Sequence, residues 1–371
     1  MTINATRVSA GEALGILKAG WDAQAAGQMR TAWMLHGRPG VGKTQVVQQL
    51  AQQIGADLID LRLTTIEPQD LRGLPYYDHE AGKTVWYRPE DLPDQDRPTV
   101  LFLDELTAAA PHLQPTVYGL LQERRVGRHM LPDQVFLVAA GNTVEDGAIA
   151  YEMGTGLSDR MIHLMVEAVP GDWLDAYAVP RGLHPAVIAF IKNRPDLLDS
   201  SDRDLAAGHV IMATPRTWER ASEILVAVSN RVQRNAMLAG TLGAAIAAEF
   251  AVVADDIAAT VKLEALLAAS GGQRAALYPE TLHGLYALVY GLAGAVSADQ
   301  IRPVLEVLAG IGDLAQTRPE PVFQRLPLAE LVTYGFELVL TRALDQNLGD
   351  AVLETPAYQR YAEARAAAGL A

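Results

Sequence analysis

Residues 37–44 read Gly-Arg-Pro-Gly-Val-Gly-Lys-Thr. This matches a glycine, four residues, then Gly-Lys followed by Ser or Thr, the spacing of a loop that wraps phosphate. A chance match in a chain of this length has odds on the order of 0.01, given average glycine usage. The motif also constrains its surroundings, because it needs a strand leading in and a helix leading out. Both flanks comply. Thr31-Ala-Trp-Met-Leu-His36 reads as a short buried strand, and Thr44–Ile54 carries Val46, Val47, Leu50, Ala51 and Ile54 at helical spacing before Gly55 stops it. In such a loop glycines let backbone N–H groups face phosphate oxygens, and the helix adds its positive end. Lys43 reaches the β- and γ-phosphates, and Thr44 offers a hydroxyl to Mg2+. The expected nucleotide-binding run is therefore Gly37, Arg38, Pro39, Gly40, Val41, Gly42, Lys43, Thr44 and Gln45.

Strands and helices alternate up to about residue 167. Ser9 is placed to cap a helix running to about Ala26, Asp57–Leu63 is a second strand, and Thr99–Leu103 is a third. A hairpin is expected around Gly82-Lys83 and Trp86-Tyr87, a helix over His112–Glu123, and further strands over Val135–Ala140 and Met161–Val166. Such alternation predicts a parallel α/β sheet. From about Val169 the chain is almost wholly helical in pattern. The expected division is an α/β domain over 1–167, an all-α lid over 168–258 and a further helical C-terminal region over 259–371.

The net charge is −14 and there is no cysteine. An acidic chain repels nucleic acid over most of its surface. The lack of cysteine excludes disulfides, thiol catalysis and Cys-based zinc sites, and fits a cytoplasmic protein. The first residues carry no signal-peptide pattern. The most membrane-like run, Ala236–Ala254, is rich in Ala and Gly and is followed by Asp255-Asp256, so a packed helix is expected there and not a span.

Asp104 and Glu105 follow an apolar strand, at the C-terminal edge where parallel sheets bind ligands. Asp104 would join Thr44 in the Mg2+ shell, and Glu105 would polarise a water in line with the γ-phosphate. Asn142 ends another apolar strand and could orient that water, although after Gly141 it reads equally well as a turn residue. Arg216 follows a capping Thr214 and Pro215. A cation in a first helical turn opposes the helix dipole, and either phosphate or a carboxylate would relieve it. Arg160 is readable as a surface partner of Asp159 or as an arginine that enters a neighbouring subunit's site.

The ordered set of phosphate loop, Leu-Phe-Leu-Asp104-Glu105, strand-end Asn142, Asp159-Arg160 and Pro215-Arg216 resembles the AAA+ ATPases, and within them the MoxR branch. Gln69-Asp-Leu-Arg-Gly73 and Val85-Trp-Tyr-Arg-Pro89 resemble that branch's early insertion, and Gln122–Val126 precedes what looks like its second hairpin. The family often has Asn-Pro after the sensor strand, whereas this chain has Asn142-Thr143-Val144-Glu145-Asp146. The resemblance implies Walker A at Gly37–Thr44, Walker B at Asp104 and Glu105, sensor 1 at Asn142, an arginine finger at Arg160 and sensor 2 at Arg216. It also implies a homo-oligomeric ring, usually hexameric, and a partner bearing a von Willebrand factor A domain. The expected activity is ATP hydrolysis coupled to chaperone-like remodelling. Lys83, Arg88, Arg124, Arg125 and Arg128 fall in the two candidate pore-facing segments and could grip an acidic chain segment or DNA. The acidic whole favours a protein substrate. The alternatives are a nucleic-acid motor of the same fold and a nucleotide-gated scaffold with little hydrolysis. A GTPase is disfavoured, because no Asn/Thr-Lys-x-Asp motif is present.

Overall fold

The computed structural model describes residues 3–143, 158–318 and 320–367. The chain divides into two compact units. Unit 1 holds Met1–Trp173 with Thr214–Arg216, and unit 2 holds Leu174–Ala213 with Thr217–Ala371.

Unit 1 is built on a six-stranded parallel sheet. Its strands are β1 (Thr6–Val8), β2 (Ala32–His36), β3 (Asp57–Arg62), β6 (Thr99–Asp104), β9 (Val135–Gly141) and β10 (Met161–Val166), in the order β1-β10-β2-β9-β6-β3. Two short antiparallel hairpins stand apart from it, β4 (Pro75–Asp78) with β5 (Lys83–Trp86), and β7 (Arg125–Val126) with β8 (His129–Met130). Helix α1 (Ala10–Ala25) starts as the sequence predicts. The Ser9 hydroxyl accepts from the Glu12 N–H at 3.1 Å, and the Glu12 carboxylate accepts from the Ser9 N–H at 2.8 Å, a reciprocal cap. Helix α2 (Lys43–Ile54) closes at Gly55 in the left-handed conformation.

The predicted strands all form, and β1 is an addition. With three residues it is too short for any periodicity to reveal, and it exists through its parallel pairing with β10. The helix expected from His112 begins at Gln114 as α4 (Gln114–Glu123), with Pro115 in its first turn, where a missing N–H costs nothing.

The sheet is covered on both faces, so its central strands read as continuous apolar runs. Residue parity assigns the faces. Trp33, Leu35, Val100, Phe102, Phe136, Val138 and Ala140 are buried together with Val46, Val47 and Leu50 of α2. Met34, Leu101, Leu103, Leu137 and Ala139 are buried on the opposite face with Val117 and Leu120 of α4.

Unit 2 is helical. The Ala236–Ala254 run is interrupted at Gly243, which adopts φ +82° between the helices Arg231–Leu242 and Ala244–Thr260. Among the described residues no helix is long and apolar enough to cross a membrane. Phe190, Trp218 and Phe250 form an aromatic cluster with ring centroids 5.1–5.3 Å apart, and the Trp218 indole N–H donates to the Leu197 carbonyl at 2.9 Å. The helix Leu282–Gly294 packs both on Pro185–Asn193 and on Leu328–Asp345. Its Leu285, Ala287, Leu288, Val289, Leu292 and Ala293 are all buried. A helix apolar around most of its circumference needs neighbours on several sides. Here they come from both the stretch expected as a lid and the stretch after residue 259, which share one compact unit.

Trp218→Ala removes the centre of the aromatic cluster. It should lower the unfolding free energy of unit 2 by about 3–5 kcal/mol, read from urea denaturation. An effect under about 1 kcal/mol would contradict this packing.

Candidate functional site

In a parallel sheet all strands end on the same edge, and parity decides which ends face the same helix. Asp104 continues the Val100 and Phe102 series, Asn142 continues Val138 and Ala140, and Gly37 continues Trp33 and Leu35. All three series lie on the α2 face. The structure accordingly gathers Gly37, Lys43, Thr44, Asp104 and Asn142. The Lys43 ammonium, which is buried, donates to the Gly37 carbonyl at 2.5 Å, the Arg38 carbonyl at 2.9 Å and Asn142 Oδ1 at 3.0 Å. The Thr44 hydroxyl donates to Asp104 Oδ2 at 3.4 Å.

The loop needs its glycines sterically as well as conformationally. A Cβ at Gly37 would stand 2.4 Å from the Val166 carbonyl oxygen, and one at Gly40 would stand 2.9 Å from the Thr214 hydroxyl. Gly40 also adopts φ +88°, a region L-residues avoid. Gly42 caps α2 at φ +104°. Arg38, Pro39, Val41 and Gln45 complete the loop and the first turn of α2.

Thr214 and Arg216 belong to unit 1 with the loop, and the Arg216 Cβ lies 3.4 Å from the position of that added Gly40 Cβ. Arg216 is therefore beside the phosphate loop, as the Thr-Pro-Arg reading requires. Arg160 is not. It precedes Met161, which pairs with Ala32 at the start of β2, so it lies at the N-terminal edge of the sheet. Its guanidinium is 3.6 Å from Asp159. A strand of five or six residues separates the two edges by roughly 17–20 Å, so Arg160 does not serve the loop of its own subunit in this conformation. Leu157, three residues before it, and the Val144-Glu145-Asp146 stretch after β9 lie outside the described residues.

Glu105 has φ +59° and ψ +34°, unusual for a non-glycine residue. Its N–H donates to Asp104 Oδ1 at 2.9 Å, and its carboxylate accepts from the Thr64 hydroxyl and lies 3.8 Å from the Arg62 guanidinium. The Thr107 hydroxyl donates to the Asn142 carbonyl at 2.9 Å, which ties Asn142 to the segment that follows Glu105. Thr64, Arg62 and Thr107 carry no motif. Only the β3–β6–β9 adjacency makes them neighbours of the site.

A histidine pair adjoins the loop on the opposite face. His36 Nε2 is 2.8 Å from His163 Nδ1, and His163 Nε2 is 2.8 Å from the Ser158 carbonyl oxygen. Burial above all, helped by His163 and the Lys43 charge, pushes the His36 imidazole down to about pKa 4. On β3, the edge strand beside β6, burial and then the Asp104 charge raise the Asp60 carboxyl above its ordinary value.

Of the cations expected to face a pore, Arg88 donates to the Leu92, Pro93 and Met130 carbonyls. Arg124 donates to the Pro132 and Val135 carbonyls, and Arg125 pairs with Glu123. Lys83 and Arg128 are exposed on the two hairpins.

Thr44 and Asp104 supply two hard oxygen donors side by side, a set that fits Mg2+ held partly by protein and partly by nucleotide phosphates. Among the described residues no group of three or more His, Asp or Glu is arranged to hold a metal ion by itself.

Residues 32–161 match the model of the AAA domain, dynein-related subfamily. Over that span unit 1 is similar to this domain. The matched span runs from β2 to the start of β10 and includes the loop, Asp104, Glu105, Asn142 and Arg160. An uncharacterized protein YeaC of Bacillus subtilis is 29% identical over 160 residues, covering 41% of this chain and 48% of that protein. The ATPase family gene 2 protein homolog B of Bos taurus is 35% identical over 115 residues, covering 31% of this chain and 12% of its own length. The match thus extends over less than half of either relative. A mutant RuvB of Thermotoga maritima aligns over 81% of this chain and 87% of its own, at 16% identity and a TM-score of 0.38.

Glu105→Gly should relieve the left-handed backbone at this position and raise the unfolding free energy of unit 1 by about 1 kcal/mol, read from urea denaturation. A lower stability than the parent would show that the Thr64 and Arg62 contacts outweigh the strain.

Proposed function

We propose that the chain is an ATPase of the MoxR type that hydrolyses ATP as a ring and uses the energy to remodel or activate a partner protein. The observation that carries this reading is the convergence on one loop of Lys43, Asn142, Thr44 and Asp104, with Glu105 adjacent. These are the groups that phosphoryl transfer to water requires: a cation on the transferring phosphate, ligands for Mg2+, a carboxylate for the nucleophile and an amide to orient it.

In this reading Gly37–Gln45 cradles the phosphates through backbone N–H groups, and Lys43 exchanges its carbonyl partners for phosphate oxygens. Thr44 and Asp104 hold Mg2+, which supplies charge neutralisation when bound. Glu105 leaves the Thr64 hydroxyl and takes a proton from water as the water oxygen bonds to the γ-phosphorus and the bond from that phosphorus to the bridging oxygen breaks, releasing ADP. Asn142, fixed by Lys43 and Thr107, orients that water. Arg216 neutralises phosphate from beside the loop. Arg160, on the far edge of the sheet, completes the site of the next subunit, and its distance from its own loop supports action in trans.

The hairpins β4–β5 and β7–β8 support a protein substrate over nucleic acid. Arg88, Arg124 and Arg125 are engaged within the domain, while Tyr77, Tyr87 and Met130 are exposed. The chain's −14 charge points the same way. The MoxR resemblance adds the expectations of a hexamer and of a partner with a von Willebrand factor A domain, and the lack of cysteine fits a cytoplasmic setting.

Lys43→Ala should lose ATP binding, and Glu105→Gln should bind ATP with near-native affinity while turnover falls at least about 100-fold. Fluorescent-nucleotide titration and phosphate release measure the two. Full turnover by Glu105→Gln would remove Glu105 from the mechanism.

A further inference from the structure

The phosphate loop and Arg160 lie at opposite edges of the sheet, and one hydrogen-bonded chain runs across the sheet face between them. Register places His163 opposite Met34 and His36 opposite Met165, so the two imidazoles are diagonal neighbours on one face. They stack with centroids 5.1 Å apart and an interplanar angle of 9°. The tautomers follow from the acceptor at the end. The Ser158 carbonyl can only accept, so His163 Nε2 carries the proton. His163 Nδ1 is then an acceptor and takes the proton of His36 Nε2 at 2.8 Å. At one end, His36 is bonded in sequence to Gly37, whose carbonyl accepts from Lys43. At the other, Ser158 is two residues from Arg160.

We propose that His36 and His163 are positioning residues that link the state of a subunit's own phosphate loop to the placement of its Arg160. This rests on the reading of Arg160 as the residue that completes the neighbouring site. Lys43 is the input. When its ammonium turns from the Gly37 carbonyl to phosphate, the residue that follows His36 loses a charged partner, and the imidazole pair is a hydrogen-bonded route from His36 to the Ser158–Arg160 segment. His36 is almost fully buried and stays neutral at neutral pH, so its donor direction is fixed. Both rings act through Arg160 and touch no reacting atom. The consequence is that loading of one site adjusts the catalytic arginine offered to the next.

The test uses the full-length protein at assembling concentration, with turnover and ATP affinity measured separately. His163→Phe keeps the ring stack and removes both hydrogen bonds. It should lower kcat by roughly tenfold to a hundredfold with ATP affinity unchanged, and in combination with Arg160→Ala it should be no worse than Arg160→Ala alone. His163→Gln, whose amide can both accept from His36 and donate to Ser158, should recover most of the turnover. His36→Phe cuts the chain from the loop side and should give the same split, so the outcome does not depend on one variant folding. If Arg160→Ala loses turnover while folded His163→Phe or His36→Phe retains it, the inference fails and the arginine reading stands. Multiplicative losses in the double variant would also overturn it, since the histidine would then act elsewhere. Wild-type turnover by Arg160→Ala would instead overturn the reading beneath it.

Discussion

The Lys43 ammonium is the contact on which the site depends. It is buried, and it joins two carbonyls of its own loop to the amide oxygen of Asn142 on another strand. A buried cation without acceptors is costly, so the loop, the first turn of α2 and the end of β9 are held at a common point by the need to satisfy it. Those acceptors are weaker than phosphate oxygens. The same contact that orders the loop therefore leaves Lys43 ready to bind anions.

The sheet explains why these groups meet. Parallel strands share an edge, and alternation sends every second residue to the α2 face. Asp104, Asn142 and Gly37 arrive there because each continues a buried series of the same parity. His36, one residue before Gly37, has the opposite parity and faces away from α2. It meets His163 there.

Much of unit 1 is legible in the sequence because its signals are local. The loop motif, the Ser9–Glu12 cap, the Gly55 stop and the apolar strands each lie within a few consecutive residues. The partners of Glu105 are different in kind. Thr64 and Arg62 reach it across a strand pairing, Thr107 reaches Asn142 across another, and the histidine chain spans two strands that are far apart in sequence. Only topology brings them together. The basic residues of the hairpins show the converse. Arg88 and Arg124 read as available cations, and the fold uses both to tie loop carbonyls, a role sequence spacing does not encode. The helical region after residue 259 has a core of its own and shares unit 2 with the preceding helices through Leu282–Gly294.

If Arg160 acts in trans as proposed, a site that holds its own Lys43, Asp104 and Glu105 is complete only in an assembly. The direct measurement is the steady-state ATPase rate per subunit across a dilution series, with mass followed by light scattering in the same samples. The rate per subunit should fall as the assembly dissociates while ATP binding persists. A rate per subunit that stays constant through dissociation would contradict the account.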